Sequence, residues 1–191
     1  MIALQEYSSR FTPEEYFAWE EQQELKHEYI DGEVYAMSGG TLNHSRITTN
    51  FSRLLGNHLD DGRCTVFNSD ARVKIHESSK YVYPDTSVTC DERDRNNTQF
   101  INHPCLIIEV LSPSTELYDR VKKFKLYRRS PSLRDYVLVN ANEIEIDLHH
   151  KNDMGRWEEL NYVAGDIVEI ESINLTFQIE QIYKNITFEN S

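Results

Sequence analysis

Apolar positions in this chain switch between helical and strand spacing, and the switches mark its elements. Thr12-Pro13-Glu14-Glu15 is a helix start, with Thr as cap, Pro at the first position and acids in the first turn. The pattern predicts a helix through Tyr16, Phe17 and Trp19 to about Gln23. KHEYIDGEVYAMS follows as two short strands around Asp31-Gly32, a dipeptide that favours a two-residue hairpin turn. Gly39-Gly40 ends the second strand. Thr41 or Asn43 then caps a helix whose Ile47, Phe51, Leu54, Leu55 and Leu59 recur at helical spacing, up to about Asp61-Gly62.

From Arg63 the period falls to two. CTVFNSDARVKIHES predicts a strand or bent hairpin with Val73 and Ile75 on one face. YVYPDTSVTCD is the next strand, where Pro84 argues for an edge or a bulge. DERDRNNTQFINHP is charged at both signs and reads as a loop. CLIIEVLS has the continuous apolar character of a strand buried on both faces. Ser114 or Thr115 caps a helix to about Arg129. A buried strand (Tyr136 to Val139), an alternating strand (Ile144, Ile146, Leu148), a strand around Trp157 to Tyr162 and a short strand or two over Glu169 to Phe177 complete the chain. The expected class is α/β or α+β with a mixed central sheet. The 191 residues suit one domain, 1–191.

Two apolar runs each carry one acid: Asp85 after Pro84, and Glu109 after Leu106-Ile107-Ile108. Burying an ionised carboxylate without a partner costs several kcal/mol, and a second carboxylate nearby makes this worse unless a cation sits between them. The economical reading is a divalent metal, Mg²⁺ or Mn²⁺, shared by Asp85 and Glu109 at one end of the sheet. The plainer alternative is that Asp85 caps the turn after Pro84 and Glu109 pairs with a helix lysine. A phosphodiester hydrolase also uses a cation that stabilises developing phosphate charge. Lys122 and Lys123 point about 100° apart on an α-helix, so only one faces the sheet, and the neighbouring Tyr127 favours Lys123. Glu28, before the hairpin turn, is placed for an additional metal ligand or water-positioning acid, and Glu33 lies beyond that turn. His44, at a helix start, is placed to reach phosphate. For Glu28, Glu33 and His44 the competing reading is a surface cap. His149-His150 and the other histidines lack zinc spacing, and there is no Gly-rich phosphate loop or GxSxG elbow.

Composition changes this picture in a few respects. The formal net charge is -12, which opposes long-range attraction to nucleic acid, although Arg120, Lys122, Lys123, Lys125, Arg128 and Arg129 form a local basic stretch. The three cysteines, Cys64, Cys90 and Cys105, show no CxxC spacing, and their odd number fits reduced thiols in a cytoplasmic protein. No apolar run approaches the roughly 20 residues of a membrane span, and the N-terminus does not read as a secretory signal. Tyr7, Tyr16, Phe17 and Trp19 suggest an exposed contact surface and hence a homodimer.

An ordered set of residues now resembles the PD-(D/E)xK nuclease superfamily and, more closely, the restriction-endonuclease-like family labelled Uma. The set is Glu28-Tyr29-Ile30-Asp31-Gly32-Glu33, His44, Pro84-Asp85, Glu109-Val110-Leu111-Ser112-Pro113-Ser114-Thr115, and Asp119-Arg120 with Lys123 and Tyr127. It spans about Thr12 to about Phe177. The resemblance implies an αβββαβ core with an extra N-terminal helix-hairpin and C-terminal strands, and metal ligands at Asp85 and Glu109. It also implies catalytic roles for Asp85, Glu109, Lys123 and Glu28, and substrate contacts for His44, Arg120 and Tyr127. The third position of (D/E)xK is Leu111, so the resemblance implies a lysine moved to the following helix, Lys123.

The expected activity is a metal-dependent endonuclease acting on DNA. Competing readings are a catalytically inactive nucleic-acid or protein-binding module on the same fold, favoured by the acidity and by Leu111, and a nuclease acting on RNA or structured DNA.

Overall fold

The computed structural model describes residues 10–37, 39–75, 79–112 and 116–188. Two expectations fall outside these residues: the helix cap at Ser114 or Thr115, and the exposure of Tyr7.

Helix α1 (Pro13–Glu20) starts as its sequence dictates. The Thr12 side chain accepts from the Glu15 N–H at 3.2 Å, and the Glu15 carboxylate accepts from the Thr12 N–H at 2.8 Å. The helix stops at Glu20, short of Gln23, where the backbone tightens, with the Gln22 N–H donating to the Trp19 carbonyl at 3.0 Å and the Gln23 N–H to the Glu20 carbonyl at 3.1 Å; the Glu20 carboxylate accepts from the His27 N–H at 2.8 Å. Strands β1 (His27–Ile30) and β2 (Glu33–Ala36) pair with Ile30 opposite Glu33. That register leaves a two-residue loop with positive φ at both positions, +53° at Asp31 and +99° at Gly32, which an Asp-Gly pair tolerates best.

Helix α2 (Leu42–Leu59) is capped by Thr41, which accepts from the His44 N–H at 3.2 Å. Ile47, Phe51 and Leu55, four apart, are fully buried and contribute about 1.5–3 kcal/mol each through removal from water. The stretch after α2 divides into β3 (Thr65–Asn68), β4 (Val73–Lys74), β5 (Lys80–Val82) and β6 (Thr86–Thr89). These do not form one hairpin series. β4 and β5 join the first hairpin in a four-stranded antiparallel sheet, ordered β2-β1-β5-β4, whereas β3 and β6 belong to a larger one. Pro84 therefore sits between two sheets, where its missing N–H breaks no ladder.

The larger sheet is six-stranded, ordered β10-β9-β8-β7-β6-β3, with β7 (Pro104–Leu111), β8 (Asp135–Asn140), β9 (Glu145–Lys151) and β10 (Trp157–Val163). β7 and β8 are parallel and the other neighbours antiparallel. A parallel pair needs a crossover, supplied by the helical segment Tyr118–Tyr127. In chain order α2, β3, β6, β7, this segment and β8 reproduce the αβββαβ succession that the resemblance implies, and the class is α+β with a mixed sheet. β7 alternates: Leu106, Ile108 and Val110 enter one core with α2 and the ribbon of β11 (Ile167–Ile170) and β12 (Leu175–Gln178). Ile107 and Leu111 enter a second core with Tyr127, Leu133 and Tyr136.

Two sequence expectations need correction. Tyr16, Phe17 and Trp19 are not an exposed surface. Tyr16 is fully buried, and the other two pack with Tyr29 and Tyr81 in an aromatic cluster under α1, so this argument for a homodimer loses its basis. The cysteines are not all reduced: Cys64 and Cys90 form a disulfide, with their Cα atoms 4.0 Å apart, because β3 pairs with β6 with Thr65 opposite Thr89, which sets the preceding Cys64 against the following Cys90. Cys105 is the free thiol, 3.6 Å from the Cys90 sulfur. Among the described residues no helix is long and apolar enough to cross a membrane.

Candidate active site

The seam between the two sheets collects the acids. Where the chain leaves β5 it passes Tyr83-Pro84-Asp85 before entering β6. The Tyr83 N–H donates to Glu28 Oε1 at 3.4 Å, which ties that crossing to β1. Asp85 accepts from the Val110 N–H at 2.7 Å, so its carboxylate is held against the residue that follows Glu109. It does not cap the turn after Pro84. Glu109 points to the same face of β7 as Ile107 and Leu111, the alternation of a strand. Leu111 packs in that core, 3 % exposed, and supplies no charge.

The ammonium comes from the crossover. Tyr118–Lys123 winds more widely than an α-helix, with the Phe124 N–H bonded to the Asp119 carbonyl five residues back. Phe124–Tyr127 then continues as α3. This winding directs Asp119, Lys123 and Tyr127 inward. Lys123 Nζ lies 3.0 Å from Glu109 Oε1, 3.3 Å from Glu28 Oε1 and 3.6 Å from Asp119 Oδ1. Glu28, Glu109 and Asp119 are each 3 % exposed and Lys123 is 7 % exposed. Three buried carboxylates thus share one ammonium. Burial pushes the Glu109 carboxyl well above the usual carboxylate range; Lys123 opposes this, and Asp119, Asp85 and Glu28 add to it. Lys123 is itself held well above its ordinary value, because the surrounding acids outweigh the effect of burial.

His44 closes the outer side. Its Nε2 is 3.1 Å from Asp85 Oδ2. Burial lowers its pKa, but the hydrogen bond to Asp85 and that residue's charge outweigh burial, so the net direction is upward from 6.5. His44, Asp85, Glu109, Asp119 and Lys123 line a small cavity of about 90 Å³, with Gly39 and Gly40 at its mouth. His44 and Asp85 also line a much larger groove, about 840 Å³, walled by Lys26 and by Ser45, Thr48, Ser52 and Arg53 of α2.

The structure therefore brings together Asp85, Glu109, Lys123, Glu28 and His44. It does not bring in two of the residues expected to touch substrate. Arg120 points away from the cavity, paired with Glu116 at 2.8 Å and with Asp147 of β9. The wide turn rotates it off the face that carries Lys123. Tyr127 is 1 % exposed, too buried to meet a substrate, and its hydroxyl donates to Glu109 Oε1 at 3.1 Å. Glu33 is exposed and accepts from the Tyr35 hydroxyl, outside the site. His150 is a buried structural partner of Asp135, at 2.7 Å. Asp119 was visible only as part of a motif; its place four residues before Lys123 is the signal for its role. Lys26 and Arg53 carried no sequence signal, since a groove between elements has no local pattern. Among the described residues no three His, Cys, Asp or Glu side chains are grouped so as to hold a metal ion.

The sequence profile described as "Uma2: Putative restriction endonuclease" matches residues 13–181, which include every residue of this cluster. The chain belongs to the Uma2 family. Two relatives come from Synechocystis sp. The uncharacterized protein slr1290 is 54 % identical over 179 residues, covering 94 % of each chain. The uncharacterized protein sll1609 is 38 % identical over 162 residues, covering 84 % of this chain and 91 % of its own. The same fold occurs in a crystal structure from Anabaena variabilis described as a putative nuclease belonging to DUF820. The two superpose with a TM-score of 0.74 at 18 % identity, over 91 % of this chain and 97 % of that one.

Proposed function

We propose that this Uma2 protein is a metal-dependent endonuclease that hydrolyses phosphodiester bonds in DNA. One observation carries the reading: three buried carboxylates and the nearby Asp85 surround a single lysine at the inner end of a groove. A core with that many acids is costly unless a further cation is present or Glu109 takes up a proton, as its raised pKa favours. The donors are all carboxylate oxygens, which fits Mg²⁺ or Mn²⁺. Magnesium is commonly held by one or two carboxylates with several waters retained, so Asp85 and Glu109 suffice without a third protein ligand. When bound, the ion polarises a phosphoryl oxygen and makes a water more acidic.

The chain's own residues do the rest. The Val110 N–H fixes the Asp85 carboxylate, and the Tyr127 hydroxyl fixes Glu109. Lys123 faces the cavity from below and supplies positive charge where a phosphate gains negative charge. Glu28 and Asp119 keep that ammonium charged and in place. His44, held by Asp85, stands at the mouth and contacts a phosphate entering from the groove. Arg53 provides local positive charge on an otherwise acidic protein, whereas Lys26 is paired with Asp70.

The test is cleavage of plasmid DNA, linear duplex, single-stranded DNA and RNA with Mg²⁺ or Mn²⁺, and with chelator. The expected result is metal-dependent cleavage of DNA, lost in Asp85→Asn and Glu109→Gln. Binding of nucleic acid without cleavage of any substrate would establish the non-catalytic module instead.

A further inference from the structure

The wide turn that sends Lys123 inward presents Lys122 outward, and Lys122, Lys125 and Arg129 line a second hollow of about 560 Å³ on the other side of the crossover. Its opposite wall is the β1–β2 hairpin, which contributes Tyr35, and Tyr118 lines it as well. Lys80 also lines it, but is already paired with Asp31. Lys122, Lys125 and Arg129 have no ion pair among the described residues. Like charges three and four residues apart on one helical face repel one another. Asp31 lines the hollow too, but it is held by Lys80, so the trio keeps its charge on a chain of net charge -12.

We propose that this hollow binds a nucleotide, with its phosphate on Lys122, Lys125 and Arg129 and its base against Tyr35 and Tyr118. The volume lies within the range of small-ligand pockets. Cations beside aromatic faces match the two halves of a nucleotide, since phosphate pairs with lysine and arginine while a base stacks on an aromatic ring. Inorganic phosphate would use only one wall. Tyr118 connects the hollow to the catalytic cluster: burial and then the Glu28 charge push its hydroxyl pKa upward, so it feels the buried acids from the far side of the crossover. The nucleotide is either free or a flanking unit of a strand. The proposal stands apart from the hydrolysis reading, because binding requires neither Asp85 nor a metal.

The experiment is an NMR titration of the chain in EDTA with a nucleoside 5′-monophosphate, a 5′-phosphorylated tetranucleotide and inorganic phosphate. Lys122→Ala/Arg129→Ala and Tyr118→Leu serve as variants, with circular dichroism to confirm folding. The expected result is saturable nucleotide binding that is at least tenfold weaker in the double variant and weaker in Tyr118→Leu. Tighter binding of the tetranucleotide would assign the hollow to a strand, and equal binding of the monophosphate to a free nucleotide. Absence of binding, binding unchanged in a folded double variant, or equal affinity for inorganic phosphate would overturn the proposal. Loss of cleavage activity has no bearing on any of these readouts.

Discussion

Lys123 Nζ and Glu28 Oε1 lie 3.3 Å apart, which joins the crossover helix of one sheet to the first strand of the other. Both side chains are buried, and the same ammonium serves Glu109 and Asp119. Lys123→Ala would take from the buried Glu28 and Glu109 carboxylates the ammonium they share. The expected cost is about 3–5 kcal/mol, the range for breaking a buried pair. Denaturant unfolding of Lys123→Ala, Glu109→Gln and the double variant checks it: the double variant should be less destabilised than the sum of the singles.

Divalent metal should stabilise the chain. With ligand at about 100 times its Kd, the expected gain is about 2.7 kcal/mol, seen as a raised Tm with Mn²⁺. Asp85→Asn and Glu109→Gln should abolish the gain, and Lys122→Ala should retain it. An unchanged Tm in the parent protein at millimolar Mn²⁺ would count against the metal centre.

The histidines should titrate in opposite directions. His149 stacks on Phe124, with ring centroids 4.2 Å apart, and burial lowers its pKa from 6.5. The folded state then takes up its proton less readily than the unfolded one. The contribution is fully present above pH 6.5 and is lost as pH falls from there through the folded value. His149→Phe keeps the stack and should flatten this acid-side loss. In NMR titrations His149 should report a midpoint below 6.5 and His44 one above it.

The Cys64–Cys90 bond closes a loop with a sequence separation of 26. By loop-closure entropy its loss should cost up to about 3.5 kcal/mol. Chemical denaturation with and without reductant measures this, with Cys64→Ser as the control that removes the difference.

The Thr12 capping box, the Asp31-Gly32 hairpin and the buried strand around Glu109 were legible in the sequence because each is set by local chemistry. The inward placement of Lys123 was legible from its neighbours, although the α-helical phase used for it is not the winding that delivers it. A wide turn has no apolar periodicity of its own, so the outward rotation of Arg120 could not be read. Nor could the division of residues 65–89 between two sheets: short strands of period two state which face is buried but not which partner they pair with. Tyr16, Phe17 and Trp19 looked exposed because a short helix with aromatics on several sides has no single apolar face to betray its burial. The disulfide depends on β3 pairing with β6, which cysteine spacing does not encode.

The passage of the chain from one sheet to the other at Pro84 bears on how activity would be lost. Glu28 belongs to the smaller sheet, Glu109 to the larger, and Asp85 to the crossing itself. No single sheet contains the whole constellation. Opening of the small sheet alone, a partial event below global unfolding, would disperse the acids while the six-stranded sheet stayed intact. Heat inactivation would then precede the loss of most secondary structure, and hydrogen exchange in β1 and β5 would be a closer gauge of catalytic competence than the melting of the molecule as a whole.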